Sequence, residues 1–344
     1  MLHTELTYPF ATPEPGTFTE VAPGVHWIRL GLPFRLNHIN VWGLADGDGW
    51  TLVDTGISTE ESLASWGQLL QQAPLDQPVR RVIVTHMHPD HIGMAGWFTR
   101  KFGVQLWITR LEYMTCRVVA ADTGREAPAE ALRFYAEAGW SPASIDKYRA
   151  RFGGFGKHIH ALPATYKRLE DGGMVRIGEH DWEVVTGNGH SPEHASLYCR
   201  DLKLLISGDQ VLPRISSNVS VQPMEPEANP MADWLASLAK LRERVPDDVL
   251  VLPAHGGCFH GLHFRLQQLH DDQVVSLDRL RERLAEPRRV MDVFESLFKR
   301  PITEADASLL GMATGESLAC LNYLVQSGEA TRRVENGVAW YQRA

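Results

Sequence analysis

Between Thr85 and Gly93 the chain reads Thr-His-Met-His-Pro-Asp-His-Ile-Gly, which sets His86, His88, Asp90 and His91 within six positions directly after the apolar run Val82-Ile83-Val84. Buried as neutral packing groups, three imidazoles and a carboxylate would each need a separate hydrogen-bond partner, and one cramped turn cannot supply them. Two divalent cations satisfy all four. Imidazole nitrogen with carboxylate oxygen and no nearby thiolate suits Zn²⁺, with Fe or Mn also compatible. The fold must therefore carry a strand end to a place where further ligands arrive from distant parts of the chain.

Three later segments share one grammar, an apolar strand-like run that ends in a short glycine-containing turn with a side chain able to ligate. Val184-Val185-Thr186 leads into Gly187-Asn188-Gly189-His190-Ser191-Pro192-Glu193-His194. Leu204-Leu205-Ile206-Ser207 leads into Gly208-Asp209, and Val249-Leu250-Val251-Leu252 into Pro253-Ala254-His255-Gly256-Gly257. A single His or Asp after a strand is commonly a turn former. Taken in order behind the first cluster, the three form a set.

In these residues the chain resembles the metallo-β-lactamase superfamily of binuclear hydrolases. The His-x-His-x-Asp-His signature matches His86, His88, Asp90 and His91, the later histidine His190, the bridging aspartate Asp209 and the last histidine His255, and the early Asp-Thr-Gly turn matches Asp54-Thr55-Gly56. The similarity spans about residues 20–260, in family order. It implies an α/β protein, a four-layer αβ/βα sandwich, with one metal held by His86, His88 and His190 and a second by Asp90, His91 and His255. Asp209 then bridges both, and Asp54 orients ligands instead of binding metal. His194 matches a supporting hydrogen-bond histidine of glyoxalase-II-like members, and Asn40 a structural asparagine of the first hairpin. His26, His38, His158, His160, His260, His263 and His270 match no ligand position and are expected on the surface or in packing.

The resemblance also implies the chemistry. Two cations about 3.5–4 Å apart lower the pKa of a shared water and polarise a scissile carbonyl or phosphoryl oxygen. Asp90 can relay a proton to the leaving group, so Asp90 and Asp209 are the expected catalytic carboxylates. Such machinery fixes the reaction class and leaves the substrate open. The favoured expectation is a small acylated metabolite, a thioester of acyl-glutathione or acyl-CoA type or another ester. The alternatives are a single-strand endoribonuclease, a lactonase or β-lactamase-like hydrolase, and a non-catalytic metal-binding regulatory protein. The last requires an incomplete ligand set, whereas all seven positions are filled.

At 344 residues and 44% apolar, the chain is long enough for more than one domain. Its net charge of −8 argues against a broadly basic nucleic-acid surface. Cys116, Cys199, Cys258 and Cys320 form no Cys-x-x-Cys pair and read as reduced, buried thiols. The first residues lack the basic and apolar stretches of a secretory signal, and no apolar run is long enough to span a membrane, so a cytoplasmic location is expected.

Residues 1–20 are expected to be an extended arm, with the Pro-rich stretch Pro9 to Pro23 leading into the first strand. Residues 21–260 are the expected catalytic domain, with a helical insert at about 111–160 in which Leu111–Ala120, Pro128–Ala138 and Pro142–Phe152 carry helical spacing. Aromatics of the insert, Tyr135 and Tyr148 among them, are candidates for an acyl-binding wall over the metals or for plain packing. Arg214, in the loop after Asp209, is a candidate anion contact or a partner of the Glu225-Pro226-Glu227 stretch. Residues 261–286 form a linking helix. The tail, 287–344, reads as helices Arg288–Lys299, Thr303–Ala313 and Gly315–Gln326 followed by a hairpin turning at Asn336-Gly337, a winged-helix order. Its candidate recognition helix, Gly315–Gln326, contains no Lys or Arg, so a structural or homodimerising role is expected over nucleic-acid binding.

Overall fold

The computed structural model describes residues 5–344; residues 1–4 of the expected arm lie outside the described residues. Seven strands, β1 Phe18–Ala22, β2 Val25–Gly31, β3 His38–Ala45, β4 Trp50–Val53, β5 Val79–Ile83, β6 Leu106–Thr109 and β7 Lys167–Leu169, make one sheet in sequence order. Five more, β8 Met174–Ile177, β9 His180–Gly187, β10 His194–Cys199, β11 Leu204–Gly208 and β12 Leu250–Pro253, make a second in the order β12-β11-β10-β9-β8. Trp27, Trp42, Val53 and Ile83 of the first sheet meet Trp182, Val184, Leu197 and Ile206 of the second in a shared core. Helices Glu60–Leu69, Ala95–Phe102 and Arg110–Ala121 cover the outer face of the first sheet through Trp66, Phe98 and Tyr113. Helices Pro230–Arg244 and Leu262–Arg283 cover the second through Trp234, Leu238, Leu266 and Leu269. The result is the expected four-layer α/β sandwich. β11 and β12 are buried along their whole length, on both faces, which is why they read as nearly continuous apolar runs instead of alternating.

Parallel pairing puts the ligand-bearing turns on one edge of each sheet. β4 runs parallel to β5, and β11 to β12, so both strands of each pair end on the same side. Backbone bonds then join the two edges: Ala195 N–H donates to Thr85 O at 2.8 Å and Asn40 N–H to Ala254 O at 2.7 Å, while Ala254 N–H, donating to Gly208 O at 3.1 Å, ties the ends of β11 and β12 together.

Three expectations are modified. Regular pairing begins at Phe18, inside the segment expected to be an extended arm, because residues 18–20 align antiparallel with residues 26–28 of β2. The insert forms its helices, Arg110–Ala121, Ala129–Glu137 and Pro142–Arg151, the last capped by Ser141 with Pro142 in the first turn. Its aromatic wall does not face the ligand turns. Tyr135 packs on Trp140 and Tyr148 with ring centres 4.3 and 4.5 Å away, and Trp140 Nε1–H donates to Thr314 Oγ1 of the C-terminal helix Ala307–Gln326 at 2.9 Å.

The tail departs furthest. The two helices expected over Thr303–Ala313 and Gly315–Gln326 are one continuous helix, Ala307–Gln326, and Arg288–Lys299 holds only a 3₁₀ turn, Val290–Val293, and the short helix Phe294–Leu297. The described residues contain no helix-turn-helix corner there, so the winged-helix expectation is not met. Gly315, which looks like a breaker in the sequence, is a point of close approach: a Cβ on it would lie 2.8 Å from Ser220 Cβ and 2.9 Å from Val221 O. Its carbonyl also accepts Val221 N–H at 3.0 Å. The hairpin of β13 Ala330–Glu335 and β14 Val338–Arg343 forms, with Asn336 and Gly337 at φ 51° and 78° as a type I′ turn requires. Leu310, Leu318, Leu321 and Tyr341 share one core with Trp234 and Val185, so the tail is packed onto the second sheet's helical layer.

Candidate metal centre

After β5 the chain passes through His86 and His88 and enters a single helical turn, Pro89–Ile92, with Pro89 at its first position and His88 still extended at φ −61°, ψ 144°. This change of backbone separates the cluster into two halves. His86 and His88 gather with His190 and Asp209, while Asp90 and His91 gather with His255; within each group the ligand atoms lie within 4.8 Å of one another. All seven expected ligand residues are thus brought together.

Asp209 stands between the halves. Its Oδ2 lies 3.4 Å from His190 Nε2 and 4.0 Å from His86 Nε2, and its Oδ1 lies 3.5 Å from His91 Nε2 and 3.4 Å from His255 Nε2. Asp90 Oδ2 is 3.4 Å from His255 Nε2. One carboxylate oxygen therefore faces each group.

The electrostatics suit cations. Burial, reinforced by His91, His88 and His194, holds His86 well below the ordinary imidazole range, and burial with His190 pushes His88 down to about 3. Both are neutral donors. Burial also lowers His91, but the charges of Asp54, Asp209 and Asp90 outweigh it and raise this imidazole well above its usual value. At His255 burial is likewise outweighed, by Asp209 and Asp90. For Asp209 burial would raise the carboxyl, yet His255 and His91 hold it well below the carboxylate range. The buried carboxylates thus demand positive charge between them. His91 Nε2, His190 Nε2 and Asp209 Oδ1 are buried without any hydrogen-bond partner, a costly arrangement unless the atoms ligate. This all-nitrogen-and-oxygen donor set fits two divalent cations of the zinc, iron or manganese kind.

The supporting residues are equally specific. Asp54, at the end of β4, takes φ 63°, a left-handed conformation that costs a non-glycine residue about 1–3 kcal/mol. That conformation accompanies a carboxylate that accepts Thr85 N–H at 2.8 Å and His91 Nδ1–H at 2.8 Å. Asp54→Ala is expected to weaken metal affinity about 10–100-fold; an unchanged metal titration would reduce Asp54 to a turn residue. His194, fully buried, accepts Asp209 N–H on Nε2 at 3.1 Å and so supports the Asp209 turn. Asn40 Nδ2–H donates to Pro253 O and Gly256 O, both at 2.9 Å, and fixes the His255 turn.

Two site residues escaped the sequence reading. His38, expected on the surface or in packing, accepts His255 Nδ1–H on its backbone carbonyl at 2.7 Å and Gly256 N–H on its Nε2 at 2.9 Å. Glu112 is completely buried. Its carboxylate accepts Met87 N–H at 2.8 Å, Ser191 Oγ–H at 2.6 Å and Glu193 N–H at 2.7 Å, tying the His86–His88 turn to the His190 turn.

The expected substrate contacts fare differently. Tyr135 and Tyr148 sit in the packing between insert and tail described above. Arg214 is exposed, lies over the Tyr8 ring at 5.7 Å and makes no ion pair with Glu225 or Glu227. It borders a cavity that also touches His255.

Residues 35–256 match the sequence model of the Metallo-beta-lactamase superfamily, and residues 277–344 that of a Metallo-beta-lactamase-like C-terminal domain, which takes the place of the expected winged helix. The crystal structure of a Beta-lactamase domain protein from Burkholderia ambifaria is 42% identical, superposes with a TM-score of 0.89 and is covered over 98% of both chains. A probable metallo-hydrolase of Bacillus subtilis is 24% identical over 288 residues, 79% of this chain and 84% of its own. An acyl-coenzyme A thioesterase of Homo sapiens is 26% identical over 249 residues, 69% of this chain and 79% of its own.

Proposed function

This chain belongs to the metallo-β-lactamase superfamily and is a metal-dependent hydrolase, and we propose that its substrate is a small acyl thioester of the acyl-CoA or acyl-glutathione type. The observation that carries the hydrolytic reading is Asp209, one carboxylate with an oxygen turned toward each of two ligand groups. His86, His88 and His190 would hold one cation and Asp90, His91 and His255 the other, with Asp209 touching both. Bound there, such a pair supplies Lewis acidity and makes water acidic enough to attack at neutral pH.

The chain's own residues do the rest. Asp54 and the carbonyls of Asn218 and His38 accept the Nδ1 protons of His91, His190 and His255, which fixes the tautomer that presents Nε2 to the site. The Asp90 side chain is 21% exposed against 11% for Asp209, which favours Asp90 as the carboxylate that takes the proton released by the attacking water and hands it to the departing sulfur. Glu112 keeps the two histidine-bearing turns in register. For the thioester in particular, the support is the resemblance to an acyl-coenzyme A thioesterase, together with the His190-Ser191-Pro192-Glu193-His194 turn.

An endoribonuclease reading would lean on a helix-turn-helix corner in the tail. That corner is not formed, and Leu318, Ala319, Leu321 and Leu324 of the supposed recognition helix are buried. The decisive assay is release of free thiol by the zinc-, iron- or manganese-loaded protein from acetyl-CoA, longer acyl-CoAs and S-lactoylglutathione. Turnover of at least one is expected, and failure on every member would count against the thioester assignment.

A further inference from the structure

Beside the metal centre lies a cavity of about 460 Å³ that His255 shares with Arg29, Arg214, Tyr8, Phe10, Leu36 and Ile215. Among the described residues, no Asp or Glu lines it. The guanidinium of Arg29, on β2, makes no hydrogen bond or ion pair to any described residue, and its Nη1 is buried and unpartnered. An unsatisfied buried donor of this kind is costly, more so when charged, unless a ligand supplies the acceptor. Arg81, Arg244 and Arg281, also partly buried, each have a carboxylate partner, in Asp46, Asp171 and Glu329. Burial pulls Arg29 below its ordinary pKa, against the nearby charge of Glu14. Arg214 approaches from the loop after Asp209, held over the Tyr8 ring and free of any carboxylate. Tyr8 and Phe10 come from the N-terminal segment, which is anchored where Thr7 pairs with His260.

We propose that this cavity is an oxyanion subsite, in which Arg29 and Arg214 bind a carboxylate or phosphate carried by the substrate a short apolar spacer away from its scissile bond. A guanidinium fork matches either anion. The apolar walls suit the spacer, and the shared His255 places the bound anion next to the Asp90–His91–His255 half of the centre. The subsite rests on the hydrolase reading above and narrows it to anionic thioesters.

Two substrate pairs separate the sources of anion in the loaded enzyme. S-acetyl-3-mercaptopropionate against its methyl ester tests a carboxylate, and S-acetyl-3-mercaptopropyl phosphate against S-acetyl-3-mercaptopropanol tests a phosphate. The anionic member of at least one pair is expected to have the higher kcat/KM by about 10–100-fold, mainly through KM, the worth of one or two charge-assisted hydrogen bonds. Arg29→Gln, and independently Arg214→Gln on the exposed loop, should collapse that ratio toward one. Binding of phenylphosphonate and benzoate by calorimetry, with benzyl alcohol as neutral control, reads the subsite without turnover; about tenfold weaker binding of one anion is expected in either variant. If no thioester is cleaved but anion binding still depends on the arginines, the substrate class fails and the subsite stands. Equal ratios and equal anion affinities in wild type and both variants would overturn the subsite.

Discussion

Asp209→Ala is expected to lower hydrolysis by at least about 10³-fold, a loss of about 4 kcal/mol of transition-state stabilisation, and to cut bound metal below two equivalents per chain. Among the described residues, no other side chain contributes to both halves of the centre. With Oδ1 at 3.4 Å from His255 Nε2 and Oδ2 at 3.4 Å from His190 Nε2, a single carboxylate spans the gap between the groups. Truncation removes the charge that both cations share and leaves buried histidines on either side without their common anion. Asp209→Asn retains the shape and loses the charge, so it should lie close to the alanine variant in activity while unfolding at nearly the wild-type temperature. Metal analysis of the dialysed variants alongside single-turnover assays checks this. Near-wild-type activity of Asp209→Asn with two metals retained would be incompatible with the assigned role.

Glu112→Ala is expected to cost about 3–5 kcal/mol of stability, a fall of about 4–7 °C in melting temperature, and to weaken metal binding as well. The carboxylate satisfies three donors in a fully buried position, and deleting it orphans Met87 N–H, Ser191 Oγ–H and Glu193 N–H together. Met87 lies between two ligands and Ser191 follows a third, so the damage reaches the centre through its backbone. Glu112→Gln keeps one acceptor oxygen but turns an amide toward a donor, and should be intermediate. Calorimetry with and without added zinc reads both effects. A variant that melts like the wild type would mean that the three donors find other partners.

The ligand set was legible because metal chemistry restricts both residue type and place. Apolar runs ending in short turns marked β5, β9, β11 and β12, and each turn carried a His or Asp that the two sheets do bring together. Glu112 was hidden for the opposite reason: a lone acid on an amphipathic helix normally faces water. The available signal was that it stands four residues before Cys116 on the same face of the helix Arg110–Ala121, beside Tyr113, and all three are buried. His38 works largely through its backbone carbonyl, which side-chain patterns do not reveal. The tail misled because Gly315 has two meanings in a sequence, a break or a close approach, and only the neighbouring segment of residues 220–221 decides between them. Tyr135 and Tyr148 show the same limit, since helical spacing of aromatics is silent on which layer they will meet.

The most direct test is anomalous diffraction at the zinc edge from crystals of the zinc-loaded protein. Two peaks are expected, one among His86, His88 and His190, the other among Asp90, His91 and His255, both within bonding distance of the Asp209 carboxylate. A single peak, or peaks away from Asp209, would contradict the account.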